Sequence, residues 1–197
     1  ETIFFIYFLG SDFMSEIVRT KTHPVMVGSV QVGGGAPVSV QSMCTTKTDD
    51  PDATLRQIKE LAEAGCEIIR VAIPDAKAFD GFEEICKYSP LPVVADIHFD
   101  YKLALEASKR GAAALRINPG NIGSMERVDA VIEAAKEAHI PIRIGVNAGS
   151  LAKEFDTRQD MTLVEKLVAS SKSFVEHFSS RGFDDIVLSA KAHDVPT

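Results

Sequence analysis

From residue 38 onwards, apolar and polar positions along the chain repeat in the order strand, loop, helix. Runs with an apolar residue at every second position predict strands, and apolar positions three and four residues apart predict the helices between them. The predicted strands span residues 38–43, 67–72, 92–98, 113–118, 141–147 and 186–191. Two shorter strands, Val25–Val27 and Val30–Val32, predict a hairpin before the first repeat.

The ends of the predicted helices carry residue types that suit those positions. Side chains that can accept hydrogen bonds from the first backbone amides of a helix precede four of them, at Asp50, Asp100, Ser124 and Thr162. Glu165 follows Thr162 at the spacing of a capping box. Because parallel strands need a crossover connection, helices of this length between strands predict a parallel sheet.

A doubly wound open sheet and a TIM-type (β/α)8 barrel both fit this order, and the two sides of the strands distinguish them. One side of five consecutive strands is apolar throughout, at Ile69, Val71, Val93, Ala95, Ile97, Leu115, Ile117, Ile142, Ile144, Val146, Ile186, Leu188 and Ala190. The other side becomes polar toward the C-terminal end of each strand. An open sheet covered on both faces needs two apolar sides, whereas a barrel tolerates polar inward residues at its mouth. The sequence therefore predicts a TIM-type α/β barrel with about six core strands and an N-terminal β-hairpin.

The polar side of the strands carries the candidate functional residues. They are Arg70, Asp96, His98, Arg116, Asn118, Arg143, Asn147, Ser189 and Lys191. Four of these are cations that should face one mouth, and Asp96 alone does not balance them. Because cations repel one another more strongly as water is removed, the site needs a multivalent anionic ligand. A diphosphate suits the planar fork of arginine.

The remaining polar residues have roles that the sequence leaves partly open. Asn118, Asn147 and Ser189 would add neutral hydrogen-bond donors around the anion. Asp96 and His98 are the candidate catalytic pair, and they could either orient substrate hydroxyl groups or move a proton. No metal ligands are predicted.

Composition limits the other possibilities. With 197 residues, of which 45% are hydrophobic and 25% charged, the chain is expected to form one sizeable core. A net charge of −7 argues against nucleic acid or an anionic membrane as a partner. Residues 1–13 are unusually apolar and aromatic but too short to span a bilayer. We expect them to be a non-native or disordered tail before a domain at residues 14–197.

The cysteines indicate a reducing, cytoplasmic compartment. Cys44, Cys66 and Cys86 are odd in number and include no Cys-x-x-Cys pair, so they form neither a disulfide framework nor a metal-ligand pattern. Free cysteines are most often interior. All three are therefore predicted to be small buried hydrophobic residues.

Five longer motifs resemble a known family. VQSM at 40–43, VADIHFDY at 94–101, LRINPGNIG at 115–123, PIRIGVNAGSL at 141–151 and SAKA at 189–192 occur in the order found in the bacterial 4-hydroxy-3-methylbut-2-enyl diphosphate synthases. This family is also called GcpE or IspG. The resemblance covers residues 19–195, and it implies a barrel with a diphosphate site at its mouth.

The resemblance also implies an activity. Family members reductively open the ring of 2-C-methyl-D-erythritol 2,4-cyclodiphosphate in non-mevalonate isoprenoid biosynthesis, with electrons from ferredoxin or flavodoxin through a 4Fe-4S cluster. The residues that match the diphosphate-binding basic positions are Arg70, Arg116, Arg143 and Lys191. Those that match polar positions lining the mouth are Asp96, His98, Asn118, Asn147 and Ser189.

The family pattern extends beyond the segments present here. Family members continue through further barrel strands to a C-terminal domain that holds the cluster, and they form homodimers in which this domain covers the partner's barrel. The cluster ligands of that domain do not occur before Thr197. We therefore expect the 197-residue chain by itself to bind substrate without turning it over. With two open sheet edges, it should also associate or be marginally stable.

Two other functions remain open at this point. A dihydropteroate-synthase-like transferase barrel would also bind a diphosphate-bearing substrate at its mouth. A non-catalytic anion-binding module would hold the anion without any chemistry.

Overall fold

A computed structural model describes residues 21–192 of the chain. The expected N-terminal tail, residues 1–13, lies outside the described residues, so its character stays a prediction. The described part of the chain begins with an antiparallel hairpin of β1 (Val25–Val27) and β2 (Val30–Val32). A parallel sheet with helices follows, and it holds six strands.

The strands of the parallel sheet pair in chain order, each with the next. They are β3 (Gln41–Met43), β4 (Ile68–Ala72), β5 (Val93–Asp96), β6 (Ala114–Ile117), β7 (Ile142–Asn147) and β8 (Ile186–Lys191). The sheet is curled, as a contact across its inner face shows. Arg143 on β7 reaches Gln41 on β3, with 2.9 Å between Nη1 and Oε1. The predicted barrel class and its six core strands are thus confirmed as a curled half-barrel.

The helices follow the predicted order and most of the predicted ends. They are α1 (Pro51–Glu63), α2 (Phe79–Tyr88), α3 (Tyr101–Lys109), α4 (Pro119–Ile122), α5 (Met125–Ala138), α6 (Lys153–Asp156) and α7 (Leu163–Ser180). Asp50 and Asp100 accept hydrogen bonds from helix amides as predicted, and Thr162 forms the capping box with Glu165. Ser124 occupies the N-cap position of α5, but its side chain makes no capping hydrogen bond.

The two faces of the sheet have different neighbours. The apolar side of β4 to β7 packs outward in one large core with helix residues such as Ile58, Phe82, Ile132 and Phe178. Toward the N-terminal ends of the strands, the inner face forms a smaller second core, which consists of Val27, Ile68, Val94 and Ala114. The predicted separation of the two sides is therefore confirmed for these strands.

The hairpin covers the end of the sheet opposite to the polar mouth. Val27 is buried in the second core, and Val30 and Val32 pack against it. The turn between β1 and β2 lies against Pro92 at the start of β5, since a Cβ on Gly28 would be 2.7 Å from the Cβ of Pro92. The inner face is thus closed by apolar residues at its N-terminal end and left polar at its C-terminal end.

The structure differs from the predicted elements at both edges of the sheet. The first strand of the parallel sheet, β3, begins at Gln41 rather than at residue 38, and Val38 and Val40 are exposed. Leu188, predicted to face helices, is 42% exposed because β8 is an edge strand in the described sheet. Within residues 21–192, no helix combines the length and apolar character needed to cross a bilayer.

Candidate functional site

The inner face gathers charged side chains toward the C-terminal ends of its strands. Strand register places Asp96, Arg116 and Arg143 side by side on β5, β6 and β7. Arg70 on β4 lies one inward position earlier, because Ala72 is the residue paired with Asp96. The structure thus brings together four of the residues that the sequence singled out, and we refer to Arg70, Asp96, Arg116 and Arg143 as the arginine recess.

Asp96 is the buried centre of the arginine recess, with 1% of its side chain exposed. Its Oδ1 accepts a hydrogen bond from Arg116 Nη1 at 3.2 Å, and its Oδ2 lies 3.3 Å from Arg70 Nε. None of the described residues makes a hydrogen bond of good geometry to Oδ2. Since a buried oxygen without a donor is costly, a ligand that donates a hydrogen bond there would be stabilised.

Neutral side chains hold the other two arginines in place. Arg143 donates through Nη1 to Gln41 Oε1 at 2.9 Å and through Nη2 to Ser189 Oγ at 3.3 Å. Arg70 donates through Nε and Nη2 to Met43 Sδ, at 3.3 and 3.0 Å. The amide and the hydroxyl orient Arg143 without neutralising it, whereas Arg70 has the thioether and the Asp96 carboxylate as partners.

The electrostatics of Arg143 show that positive charge is in excess. Burial lowers the pKa of its guanidinium, and the neighbouring positive charges of Arg70 and Arg116 lower that pKa further. Asp96 acts in the opposite direction as a smaller influence. A bound anion would therefore relieve the repulsion among the three arginines.

His98 lies at the solvent side of the arginine recess. It follows β5 and its side chain is 48% exposed, with Nε2 3.6 Å from Asp96 Oδ2. Phe99 next to it is 70% exposed. An accessible imidazole beside a buried carboxylate could exchange a proton with a ligand or hold one of its hydroxyl groups, so the structure leaves both sequence-based roles possible.

Asn118 is more deeply placed than a residue that simply lines a mouth. It is 1% exposed, and its Oδ1 accepts a hydrogen bond from Gly120 N at the start of α4. Its Nδ2 donates to Ser150 Oγ in the loop after β7. In this conformation Asn118 joins two loops of the mouth.

The remaining candidates lie on the last two strands. Asn147 and Lys191 are paired in register at the ends of β7 and β8, further toward the C-terminal rim than Arg143. Ser189 contacts Arg143 directly. The structure thus places Ser189 in contact with the arginine recess. Asn147 and Lys191 lie between the recess and the C-terminal rim of the sheet.

Three contacts in the site were not predicted from the sequence. Gln41 and Met43 share the inward side of β3, and Ser150 reaches Asn118 from a loop. The alternation of β3 could have indicated the first two, because in-register pairing puts Met43 beside Arg70. A serine in a loop carries no comparable signal.

The described residues do not fit the 4Fe-4S cluster that the resemblance implies. In the part of the chain that the structure describes, no group of three or more His, Cys, Asp or Glu side chains is arranged to hold a metal ion. Burial raises the pKa of the Cys44 thiol to about 11 and that of the Cys86 thiol to about 12. The three cysteines belong to no such group among the described residues.

The predicted burial of the cysteines is correct for two of them. Cys44 and Cys66 are buried, whereas Cys86 on α2 is partly exposed. Cys86 lies at the margin of the large core between the sheet and the helices, where it packs against the buried residues.

The curled parallel sheet and the cationic inner face define the class as a TIM-barrel protein with its candidate site at the C-terminal ends of the strands. Residues 22–197 match the family model described as the GcpE TIM-barrel domain. The chain therefore belongs to the GcpE family, as its motifs indicated.

Curated relatives agree with this assignment. The 4-hydroxy-3-methylbut-2-en-1-yl diphosphate synthase (flavodoxin) of Geobacillus thermodenitrificans is 54% identical over 183 residues, which cover 92% of this chain and 49% of that protein. The protein of the same name from Clostridium acetobutylicum is 54% identical over 177 residues, with coverage of 90% and 51%. The chain spans about half the length of the curated relatives that it matches.

Solved structures share the fold at low sequence identity. The dihydropteroate synthase of Vibrio fischeri ES114 has a TM-score of 0.60 at 15% identity, covering 85% of this chain and 66% of that one. A phospho-2-dehydro-3-deoxyheptonate aldolase from Thermotoga maritima has a TM-score of 0.57 at 15% identity, covering 90% and 48%. At these identities the likeness shows the fold alone.

Proposed function

We propose that the arginine recess binds the diphosphate group of 2-C-methyl-D-erythritol 2,4-cyclodiphosphate. The observation that carries this proposal is that Arg70 and Arg116 meet at one buried carboxylate, Asp96, with the guanidinium of Arg143 close enough to be affected by both of their charges. The three guanidinium charges exceed the single negative charge of Asp96, and the neutral partners of Arg143 leave its charge available. A diphosphate supplies several acceptor oxygens and the missing negative charge.

Other predicted residues would complete the binding site. Ser189 already contacts Arg143, and Lys191 and Asn147 lie at the rim, where they would meet a second phosphate group. Asn118 would act indirectly, through the loops that it joins.

Asp96 and His98 are the proposed catalytic pair. Asp96 Oδ2 would accept a hydrogen bond from a substrate hydroxyl group, since this buried oxygen lacks one among the described residues. His98 Nε2 is close enough to share that hydroxyl or to move a proton at the same position. In this arrangement the sugar-derived carbon skeleton would contact the Asp96 carboxylate, and the diphosphate would contact the arginines.

The proposed reaction is the reductive ring opening that gives 4-hydroxy-3-methylbut-2-enyl diphosphate in isoprenoid biosynthesis. The curated relatives carry this product in their names, together with flavodoxin. Flavodoxin or ferredoxin is the proposed electron donor, a 4Fe-4S cluster the proposed cofactor of the longer relatives, and a homodimer in the cytoplasm the proposed assembly. Because the described residues do not fit that cluster, we assign substrate binding to them and expect no turnover by the 197-residue chain alone.

Isothermal titration calorimetry of the 197-residue chain with the cyclodiphosphate tests the binding proposal. Arg143→Gln should weaken binding by roughly tenfold or more, because it removes charge-assisted hydrogen bonds. Arg110→Gln is the matched control, since Arg110 lies on the outside and pairs with Asp80, Glu83 and Glu106. Absence of binding by the folded wild-type chain, or equal losses in both variants, would contradict the proposal.

The same titration separates the two alternatives. Uptake of a pterin in place of the cyclodiphosphate would favour the dihydropteroate-synthase-like transferase. Equal affinity for inorganic pyrophosphate and the cyclodiphosphate would favour a non-catalytic anion-binding module, because the carbon skeleton would then contribute nothing.

A further inference from the structure

Gly145 interrupts the inner face of β7 with a residue that the strand conformation does not require. It is buried between Ile144 and Val146, and its φ lies outside the left-handed region that favours glycine. Glycine in a strand interior costs stability, since it loses more conformational freedom on folding and packs no side chain. Such a glycine often marks a place where another group approaches the backbone closely.

The group that approaches Gly145 is the guanidinium of Arg116. A Cβ on residue 145 would lie 2.6 Å from Arg116 Nη2, 2.9 Å from Nε and 3.0 Å from Cζ. Arg116 on β6 is paired in register with Arg143 on β7, and Gly145 is the next inward position along that strand. The Arg116 side chain therefore leans toward the mouth and occupies the volume that a side chain at 145 would fill.

Arg116 is fixed from the opposite side as well. Its Nη1 lies 3.2 Å from Asp96 Oδ1, and its side chain is 14% exposed. A methyl group at 145 would overlap the guanidinium and displace it from the position in which it meets Asp96. A displacement along β7 toward Arg143 would also bring two cations closer together.

We propose that Gly145 is a positioning residue for anion recognition, because the Arg116 guanidinium occupies the space that a side chain at 145 would fill. We call this space the seat of Arg116. The inference rests on the proposed function, since the seat belongs to the arginine recess. It adds a residue that acts through Arg116 and touches no ligand itself. The backbone amides of Gly145 remain in the β7 ladder, so the effect of a substitution should be local.

Gly145→Ala tests the proposal against a matched control. Gly149→Ala places the same methyl group on a nearby glycine that also has no left-handed φ and has open space around its Cβ position. In calorimetry with inorganic pyrophosphate, Gly145→Ala should weaken binding roughly tenfold, the effect of one misplaced charged donor. Gly149→Ala should leave the affinity unchanged, and equal effects of the two variants would overturn the proposal.

A double-mutant cycle distinguishes a positioning role from a general structural one. In an Arg116→Ala background, Gly145→Ala should cause no further loss of pyrophosphate affinity, because the group it displaces is gone. The same loss in both backgrounds would overturn the proposal. Should Gly145→Ala fail to fold while Arg116→Ala folds, the double variant is expected to fold, and a double variant that stays unfolded contradicts the inference.

A direct view of Arg116 separates this inference from the proposed function. The side-chain Nε–Hε signal of Arg116, assigned by its loss in Arg116→Lys, should shift in the NMR spectrum of Gly145→Ala and stay in place in Gly149→Ala. That result supports the seat even where the wild-type chain binds no pyrophosphate, an outcome that would refute only the proposed function. An unmoved signal in Gly145→Ala overturns the inference whatever the binding data show.

Discussion

At the scale of single residues, the arginine recess depends on partners that hold a guanidinium without cancelling its charge. Gln41 Oε1 accepts from Arg143, and Met43 Sδ accepts from Arg70. A carboxylate in either position would make a stronger contact but would also satisfy the arginine internally. Gln41 therefore keeps the charge of Arg143 available for an external anion, and Met43 adds no second carboxylate to the one that Arg70 already meets in Asp96.

Gln41→Glu tests this account, because stability and binding should change in opposite directions. The new carboxylate would pair with Arg143, which should leave the free energy of unfolding unchanged or raise it by up to about 1 kcal/mol. Pyrophosphate affinity should fall roughly tenfold or more, since the anion would meet a neutralised arginine. Urea unfolding and calorimetry measure the two quantities.

Gln41→Ala serves as the comparison, because it removes the contact without adding charge. It should weaken pyrophosphate binding less than Gln41→Glu does. Tighter binding by Gln41→Glu than by the wild-type chain would contradict the proposed role of the neutral partners.

Side-chain alternation predicted which charged residues share the inner face, but it grouped Lys191 with the arginines, whereas strand register puts Lys191 nearer the C-terminal rim. Arg70, Asp96, Arg116 and Arg143 all lie on the polar side of their strands, and strand register does bring them together. The contacts with Ser150 and the exact burial of Asn118 could not be predicted, because both depend on how a loop after β7 folds over the sheet. Loop geometry has no period in the sequence.

At the scale of elements, the hairpin of β1 and β2 determines which end of the sheet is open. Its buried side closes the N-terminal end of the inner face with Val27 against Ile68, Val94 and Ala114. Water is thereby excluded below the arginine recess, and the C-terminal end remains the route for a ligand. The hairpin supports the site without contacting it.

Val27→Ala should therefore affect stability and leave binding intact. Val27 is 5% exposed, and loss of its buried methyl groups should lower the free energy of unfolding by about 2 kcal/mol. Met26→Ala on the opposite side of the same strand, where the side chain is 49% exposed, should change it by less than about 0.5 kcal/mol. Urea unfolding measures both.

The affinity for pyrophosphate is the second measurement on Val27→Ala, and it should match that of the wild-type chain. A loss of affinity at ligand concentrations and temperatures where the variant is fully folded would show that the hairpin acts on the site after all.

The long helices could be predicted, whereas the single-turn helices could not. The helices α1, α3, α5 and α7 have enough turns to show an apolar period, and their caps were recognisable. The single-turn helices α4 and α6 have too few residues to show any period. The first strand was predicted too long, because Val38 and Val40 have strand-like side chains but lie beside the sheet edge, where Glu67 Oε2 accepts from Val40 N.

At the scale of the whole molecule, the described sheet has two edges, at β3 and β8. Apolar side chains are exposed beside the second edge, with Leu188 at 42% and Val168 on α7 at 62%. Unpaired strand edges with apolar neighbours favour association with other chains. The expected association of the 197-residue chain thus stays a prediction, now with a specific surface.

Light scattering after size-exclusion chromatography should show concentration-dependent association of the 197-residue chain. Leu188→Lys should reduce it, because a charge on an edge strand opposes pairing with another strand. Tyr88→Lys is the control, since Tyr88 is also an exposed apolar residue, at 60%, but lies at the end of α2. A monomer at all concentrations that unfolds in one cooperative step would contradict the prediction.

The central claim is that the inner face of this GcpE-family barrel binds a diphosphate through the three arginines of the arginine recess. A crystal structure of the chain with 2-C-methyl-D-erythritol 2,4-cyclodiphosphate tests it most directly, with the phosphorus positions located by anomalous scattering. The account predicts both phosphorus atoms at the C-terminal ends of β4 to β8, with oxygens contacting Arg70, Arg116 and Arg143. Phosphorus found only on another surface, with the three arginines still grouped around Asp96 and free of ligand, would contradict it.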